Sequence, residues 1–338
     1  MISDAGLPSI GSESGVRSRL KQALVGLLRL SVSLGILYLI FYKVGARTPL
    51  ERVVGLDWRA LVGATALILL TITLHTKRWL IVLSARGYTW PFRSAFREMW
   101  IGYFFNQLLP SSVGGDGVRA LRLYRSGMPT AMAVRVVLTE RVFGFIACTL
   151  LGVLAVPAML VLAPGAPATT AVGATVALGL IGILVLWLAD SPVFRFLPKR
   201  ILREVRQLGD AVRNKDCSAA AMALSLAMQL CIASAVGVLS VGLGLHANPL
   251  LVALLFQPVT LITLLPVTMA GWGIREGALV AVLAAVGVPT SDALALSLCF
   301  GVIVLFASLP GWLFLAAGKV IGPRQQNLPA AQTAGSTA

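Results

Sequence analysis

Six apolar runs, each about the 20 residues that a helix needs to cross the hydrocarbon core of a bilayer, dominate the sequence. Soluble domains carry roughly 25% charged residues, whereas this chain of 338 residues carries 12% and is 57% hydrophobic. The sequence therefore predicts an all-α polytopic membrane protein. The six predicted full transmembrane helices are Leu24–Tyr42, Ala60–Leu83, Val142–Leu162, Ala171–Ala189, Ala219–Leu243 and Ala293–Ala317.

The chain is strongly basic, with 28 Lys and Arg residues against 13 Asp and Glu residues. In a soluble protein this excess would suggest a nucleic-acid partner. In a membrane protein it is expected, because Lys and Arg are retained on cytoplasmic loops and attract anionic headgroups. We therefore expect the membrane, and no nucleic acid, as the partner of these charges.

The charges of the loops predict the orientation of the chain. The connection Asp190–Cys217 carries seven Lys and Arg residues, whereas Ala163–Thr170 and His246–Pro249 carry none. The first is therefore expected in the cytoplasm and the other two outside. Counting spans from there predicts a multi-pass protein with cytoplasmic N- and C-termini. We expect it in the bacterial inner membrane. The basic loop Lys43–Arg59 disagrees, since it falls outside.

Part of the basic connection has helical periodicity. Its apolar residues recur at offsets of four, three and four, which places them on one face of a helix. These residues are Ile201, Val205, Leu208 and Val212. Such a helix is expected to lie on the inner leaflet, and the alternative is a solvated basic connector.

Two further apolar stretches, Trp90–Pro110 and Leu250–Val288, are interrupted by Gly, Pro and charge, and they contain an internal repeat. The segment Leu108–Arg119 aligns without gaps to Leu264–Arg275, with the prolines and the paired glycines at matching offsets. Three full spans lie between the copies, and an odd number inverts the second copy. We therefore predict two broken or re-entrant helical hairpins in an inverted repeat.

The predicted division of the chain follows from this repeat. Inverted repeats built around broken helices are a known transporter architecture, with the binding site near the midplane where the halves meet. The predicted parts are a cytoplasmic N-terminal segment at 1–22, a first repeat at 23–163 with its hairpin at 90–135, a second repeat at 171–320 with its hairpin at 250–288, and a disordered cytoplasmic tail at 321–338.

The two hairpin tips are expected to line a polar cavity, since non-helical backbone at membrane depth survives only where protein or water satisfies its polar groups. Pro110 and Pro266 would end the incoming half-helices, and paired glycines would permit positive φ. The outgoing half-helices would then begin near Val118 and Ile274, with N–H groups that favour an anion. The paired glycines are Gly115 with Gly117 and Gly271 with Gly273.

Arg119 and Arg275 would lie at these helix starts, where a guanidinium could bind a phosphate through two hydrogen bonds. The alternative role is ion pairing. Asp116 lies three positions before Arg119. Glu276 adjoins Arg275 but should point elsewhere on a helix, so Arg275 would require Glu140 or Asp116 from the other repeat.

Other polar residues have two open readings each. Asn106 could donate to substrate oxygens or hydrogen-bond the broken backbone. Glu140 and Arg141 open a predicted span and could bind substrate or form salt bridges. His75 is expected to snorkel at the end of a span, and Tyr103 to pack or anchor at the interface.

No motif for catalysis or metal binding is recognised. The two histidines lie in different regions, and the four cysteines are scattered without CxxC spacing. We therefore predict that the protein is not an enzyme and has no catalytic residue, metal or cofactor. The alternative is a membrane transferase that uses Glu140, Asp116 or Glu276 as a general base.

The segments LLPSSVGGDGVRALRLYRSG, LTERVFG and LLPVTMAGWGIREGA resemble the flippase-like family, which shares the N-terminal transmembrane region of lysylphosphatidylglycerol synthases and includes proteins of hopanoid and glycolipid pathways. The resemblance covers roughly residues 20–320. It implies a lipid-translocating module without the soluble aminoacyl-transferase portion. The motif positions that it implies are Gly114, Gly115, Asp116, Arg119, Glu140, Arg141, Pro266, Gly271, Gly273, Arg275 and Glu276.

The sequence is thus interpreted as an integral membrane lipid flippase or transporter. Its expected substrate is an anionic phospholipid or a polyprenyl- or hopanoid-type glycolipid, and its protein partner a second copy or a lipid-synthesis enzyme. The alternatives are a membrane enzyme that modifies a lipid headgroup and an accessory subunit of a lipid-synthesis complex. The predicted substrate-binding residues are Asn106, Gly115, Asp116, Gly117, Arg119, Glu140, Arg141, Gly271, Gly273, Arg275 and Glu276.

Overall fold

The protein is built from α-helices in a computed structural model that describes residues 28, 30–42, 44–45, 47–109, 114–191, 198–264, 271–318 and 324–325. The predicted segment 1–22 and most of the predicted tail 321–338 lie outside these residues. The helices are α1 (Leu30–Tyr42), α2 (Arg47–Val54), α3 (Trp58–Ser84), α4 (Phe92–Leu108), α5 (Gly114–Arg125), α6 (Thr130–Val153), α7 (Ala155–Leu162), α8 (Pro167–Trp187), α9 (Lys199–Arg213), α10 (Lys215–Gly242), α11 (Pro249–Thr263), α12 (Ile274–Ala285), α13 (Thr290–Ser308) and α14 (Pro310–Ala316).

Five helical segments among the described residues are long and apolar enough to cross a membrane. They coincide with five of the six predicted spans, which confirms that the chain is a multi-pass helical membrane protein. The first predicted span is described in part, as the shorter apolar helix α1. The five segments are Trp58–Ser84, Thr130–Leu162, Pro167–Trp187, Cys217–Gly242 and Thr290–Ala316.

The two interrupted stretches each form a pair of short helices. The first pair is α4 and α5, of 17 and 12 residues, and the second is α11 and α12, of 15 and 12 residues. At about 1.5 Å per residue none of the four reaches the roughly 30 Å of a bilayer core. The connecting residues 110–113 and 265–270, which include Pro110 and Pro266, lie outside the described residues.

The second outgoing helix begins where the sequence predicts. Helix α12 starts at Ile274, directly after Gly271 with φ of 81° and Gly273 with φ of 89°. These positive angles are accessible to glycine because it has no Cβ. Arg275 is therefore the second residue of its helix.

The first outgoing helix begins earlier than predicted. Helix α5 starts four residues before Val118, and Gly115 and Gly117 lie within it, without positive φ. The prediction of a left-handed turn at these glycines was therefore wrong. The reason is close packing of α5 on α4, since a Cβ on Gly115 would lie 2.0 Å from the carbonyl oxygen of Gly102. Arg119 consequently lies more than one turn inside its helix.

The turns that follow α5 and α12 resemble each other more than the starts of these two helices do. Each is followed by a turn with a glycine of positive φ, Gly127 at 99° and Gly287 at 87°. Pro129 and Pro289 then precede α6 and α13. Aligning these turns instead of the paired glycines shifts the register between the two predicted copies by four residues, about one helical turn.

Two buried clusters hold the helices together. Helix α3 packs along α10, and α4 packs against α5 and α14. One cluster joins α10 to α11, α12 and α13 and contains the edge-to-face pair Phe256 and Phe300. The other joins α3, α4 and α6 around Trp79 and Phe143. A short antiparallel pair of strands consists of β1 (Tyr88–Thr89) and β2 (Arg324–Gln325), and Tyr88 of β1 belongs to the second cluster.

Candidate functional site

A cavity of about 490 Å³ lies among α3, α4, α5, α6, α10 and α11. Its volume falls within the roughly 300–1,000 Å³ of typical ligand sites. The lining combines apolar side chains with a cluster of polar and charged ones. The polar lining residues are His75, Arg78, Tyr103, Asn106, Asp116, Arg119, Glu140, Arg141, Ser225, Gln229 and Thr260.

Arg119 lies at the centre of this cluster and is 3% exposed. One of its Nη atoms lies 3.4 Å from Oδ1 of Asp116, and the other donates to Glu140. The guanidinium also lies 4.3 Å from the ring centre of Trp79, within the range of a cation–π interaction. Two carboxylates and one aromatic face therefore stabilise a charge that would be costly to bury alone.

Glycines in the hairpin make room for this arginine. A Cβ on Gly102 would lie 2.6 Å from Cδ of Arg119, and Gly115 packs against the backbone of Gly102. The backbone N–H of Gly115 donates to Oδ1 of Asn106 at 2.8 Å. Of the two roles considered for Asn106, the structure thus contains the hydrogen bond to the hairpin backbone.

Glu140 is the other centre of the cluster and is 1% exposed. Besides Arg119, it faces Nε2 of His75 at 3.4 Å and Nε of Arg78 at 3.8 Å, both measured to Oε1. Oε1 itself has no hydrogen-bond partner among the described residues. The inter-helix ion pair expected as one role of Glu140 is therefore present, and one oxygen keeps unused acceptor capacity.

Asp116 joins the hairpin to α6. It accepts hydrogen bonds from Arg119 and from Nε of Arg141. The side chain of Arg141 is 28% exposed, compared with 3% for Arg119. Arg141 is therefore the more accessible of these two guanidinium groups.

Three members of the cluster were not identified from the sequence as site residues: His75, Arg78 and Tyr103. Nδ1 of His75 lies 3.0 Å from the hydroxyl of Tyr103. Arg78 is 4% exposed and donates to Oγ of Ser225 at 2.8 Å. The available signal was that ionisable residues within a membrane span are costly and usually functional. The expectation that His75 would snorkel to the interface was wrong, because its ring lies at this cavity in contact with the hydroxyl of Tyr103.

The cavity carries a surplus of positive charge. Three guanidinium groups line it, those of Arg78, Arg119 and Arg141, against the two carboxylates of Asp116 and Glu140. With His75 neutral, one positive charge remains. Nε of Arg78 and Nε of Arg119 also have no hydrogen-bond partner among the described residues. The arrangement therefore has both charge and free donors for a singly charged anion such as a phosphate diester.

Arg275 belongs to a separate cluster and does not line this cavity. Its Nε and one Nη lie 3.1 and 2.6 Å from Oε1 of Glu276. Oγ of Ser297 donates to the same carboxylate oxygen at 3.1 Å. The guanidinium lies 4.8 Å from the ring centre of Trp272. This cluster is neutral, with one arginine and one carboxylate.

The position of Glu276 corrects an expectation from the sequence. Glu276 is the third residue of α12, and its Oε2 accepts from the backbone N–H of Gly273 at 2.6 Å. This capping interaction turns the side chain back along the helix, which brings Oε1 to Arg275. The expectation that Arg275 would require Glu140 or Asp116 was therefore wrong.

The structure divides the predicted site residues into two groups. Six of them lie together at the cavity of the first hairpin, namely Asn106, Gly115, Asp116, Arg119, Glu140 and Arg141. Four lie at the second hairpin, namely Gly271, Gly273, Arg275 and Glu276. Gly117 has no atom within 4 Å of a Cβ built on it, so packing does not require its glycine. Substrate binding by these residues stays a prediction.

Comparison with known proteins places this site in a family. No match was found among curated proteins. Residues 26–311 match the family model described as the lysylphosphatidylglycerol synthase TM region. The match includes both hairpins and links this membrane protein to lipid handling. Because it covers well over half of the 338 residues, the chain belongs to the family of the lysylphosphatidylglycerol synthase TM region.

Proposed function

We propose that this protein binds the anionic headgroup of a membrane lipid in the cavity around Arg119 and moves the lipid between leaflets. The observation that carries the proposal is the set of three guanidinium groups against two carboxylates that line this cavity, with Arg78 and Arg119 buried. Buried ion pairs that only stabilise a fold are expected to balance, because an unpaired charge in a low-dielectric interior is costly. A bound phosphate would neutralise the surplus.

The hydrogen-bond donors without partners in this cavity also favour a phosphate as the ligand. The Nε atoms of Arg78 and Arg119, which have no hydrogen-bond partner among the described residues, belong to planar guanidinium groups, whose geometry matches two oxygens of a phosphate. Arg141 adds a more accessible guanidinium at the same cavity. In this proposal Arg141 meets the headgroup first, and Arg78 and Arg119 bind it at greater depth.

The architecture supports movement across the bilayer. Each arm of both hairpins is shorter than a full crossing, as re-entrant hairpins require. We retain the inverted repeat, the inner-membrane location and the cytoplasmic termini as parts of the proposal. The proposed substrate class is an anionic phospholipid or a polyprenyl- or hopanoid-type glycolipid.

A headgroup-modifying membrane enzyme is the second candidate, and one observation favours it. Glu140, His75 and Tyr103 form a contiguous set of proton-exchanging groups in the same cavity, with His75 within 3.4 Å of Glu140 and 3.0 Å of Tyr103. Such a set could serve general acid–base chemistry. An enzyme changes the mass of the lipid, whereas a transporter changes only its sidedness.

Leaflet-resolved transport in proteoliposomes tests the proposal. The probes are fluorescent phosphatidylglycerol and, as a zwitterionic comparison with no net charge, fluorescent phosphatidylcholine, each quenched from outside. We expect the protein to equilibrate the anionic probe faster than empty liposomes do, with no change in lipid mass. Arg141→Ala should slow it, while Arg125→Ala, whose arginine is exposed on α5 outside the cavity lining, should not. Equal rates with and without protein would overturn the transporter proposal.

A further inference from the structure

A second hollow, an apolar groove of about 350 Å³, lies among α6, α10 and α11. It is lined almost entirely by aliphatic side chains, with Gln257 and Ser234 as its polar members. Leu230, Val241 and Leu250 form part of its rim and are more than half exposed, at 53%, 62% and 67%. In a membrane-spanning chain such an exposed apolar rim faces lipid.

The groove and the headgroup cavity follow one another along the same three helices. The boundary falls at residues 148–151 on α6, at 229–230 on α10 and at 257–260 on α11. On α10 the two hollows together extend from Ser225 to Val241, which is about 24 Å of helix. Cys148 lines the cavity and Gln257 lines the groove, and Sγ of the first lies 3.6 Å from Oε1 of the second. The two hollows therefore adjoin there, one charged and one apolar, and together they are called the path.

Gln257 lies at this boundary with an unused donor. It is 0% exposed, and its Oε1 lies 3.6 Å from Sγ of Cys148 on the cavity side. Its Nε2 has no hydrogen-bond partner among the described residues. A buried amide N–H without a partner is costly and rare in folded proteins. An acceptor oxygen from a ligand would satisfy it.

The dimensions of the groove match one acyl chain. From Leu230 to Val241 the groove follows α10 for about 16 Å, at roughly 1.5 Å per residue. One leaflet contributes about half of the roughly 30 Å hydrocarbon core. A single extended chain of a membrane lipid therefore spans a length similar to that of the groove.

We propose that the groove binds one acyl chain of the transported lipid and that Nε2 of Gln257 donates to the ester carbonyl between that chain and the headgroup. This inference rests on the proposed function for the headgroup half of the path. The phosphate then lies at the arginines, the ester at the boundary and the chain along α10 and α11. Gln257 is thereby a substrate-binding residue that recognises ester-linked lipids, which narrows the proposed substrate class to the anionic phospholipid.

The test uses phosphatidylglycerol with a diazirine in one acyl chain, crosslinked to the purified full chain in lipid nanodiscs and mapped by mass spectrometry. We expect crosslinks at groove residues such as Ala233 and Leu254, competed by unlabelled phosphatidylglycerol. Ser234→Leu fills the groove from an exposed position and should abolish these crosslinks. Ala223→Leu, also exposed on α10 but outside both hollows, is the matched control and should leave them unchanged.

A separate competition measurement tests the role of Gln257. Gln257→Leu should lower competition by ester-linked phosphatidylglycerol about fivefold to tenfold, the effect of one hydrogen bond. Competition by an ether-linked analogue, which lacks the carbonyl, should be unchanged. The same variant should raise the melting temperature, because it removes an unsatisfied buried amide. Equal loss for both lipids, or a fall in melting temperature, would overturn the ester assignment.

Two outcomes separate failure of this inference from failure of the proposed function. In the first outcome, unlabelled phosphatidylglycerol does not compete, and the groove is labelled no more strongly than the exposed surface of α8. That result would mean that the probe is ordinary surrounding lipid and would overturn the acyl site. In the second outcome, unlabelled phosphatidylglycerol competes with the labelling, but Arg119→Ala and Arg141→Ala leave the labelling unchanged. That result would support the acyl site and overturn the headgroup cavity as its continuation.

Discussion

One Nη of Arg275 lies 2.6 Å from Oε1 of Glu276, the next residue in the chain. Both side chains are buried, and the carboxylate also caps the start of α12 through Gly273. The charges of this second hairpin cancel within the hairpin. The first hairpin differs, because Arg119 pairs with Asp116 of its own helix and with Glu140 of α6, in a cavity lined by three arginines and two carboxylates.

The pair at the second hairpin should contribute mainly to stability. Arg275→Ala leaves the carboxylate of Glu276 buried without its partner, so we expect a loss of about 3–5 kcal/mol. Adding Glu276→Gln should recover part of this loss. Thermal unfolding in detergent, followed by tryptophan fluorescence, measures both effects. An unchanged melting temperature with abolished lipid binding would instead support the headgroup role predicted for Arg275 from the sequence.

Neither alanine nor lysine should fully replace Arg119 in transport. Arg119→Ala removes the group that faces Asp116 and Glu140 together, and lysine cannot reproduce the planar fork that reaches both. We expect alanine to abolish transport of fluorescent phosphatidylglycerol and lysine to leave an intermediate rate. Adding Glu140→Gln to Arg119→Ala should restore folded protein without restoring transport. Wild-type transport by well-folded Arg119→Ala would contradict the proposed headgroup site.

A methyl group on α4 should damage the site without changing any charge. Gly102→Ala places a Cβ 2.6 Å from Cδ of Arg119, and such overpacking typically costs about 1–3 kcal/mol. We expect lower stability and weaker lipid binding, measured by thermal unfolding and by native mass spectrometry of retained lipid.

Gly117→Ala is the matched control on α5. Nothing lies within 4 Å of the added Cβ, and alanine is favoured over glycine in helices by roughly 0.5–1 kcal/mol. Stability should therefore rise slightly with lipid binding unchanged. Weaker binding by this variant would show that Gly117 approaches the ligand, as the sequence analysis predicts.

Cysteine labelling tests the proposed topology. Cysteines at Ala166 and His246 should react with a membrane-impermeant thiol reagent from outside, and one at Arg203 only after permeabilisation. Arg203 is suitable because its side chain is 66% exposed. The wild-type chain gives the background, since its four cysteines are buried or half-buried. Labelling at Arg203 in intact cells would reverse the proposed orientation.

The spans could be predicted because length and apolar composition are local properties of the sequence. Five described segments match the prediction, and the start of α12 at Ile274 was predicted from its glycines. The start of α5 was not predictable, because it depends on Gly115 packing against Gly102 on another helix. Glycine allows both a left-handed turn and a close helix contact, and the sequence alone does not distinguish them.

The charged site was only partly predictable, because some of its contacts also depend on residues from other helices. Arg119, Glu140 and Asp116 belong to motifs that drew attention to them. His75 and Arg78 lie in an ordinary apolar span, and their role depends on Glu140 from α6. Glu276 was misjudged because helical spacing does not account for a side chain that folds back to cap its own helix.

The space beside Gly102 also links positions 102 and 119 to one another. Glycine at 102 is compatible with either a small or a large residue at position 119, whereas Arg119 fills the volume that a side chain at 102 would occupy. An alanine at 102 would require the side chain of Arg119 to shift. Among related chains we therefore expect a bulkier residue at 102 to occur with a shorter residue at 119 or with a different packing of α4 on α5.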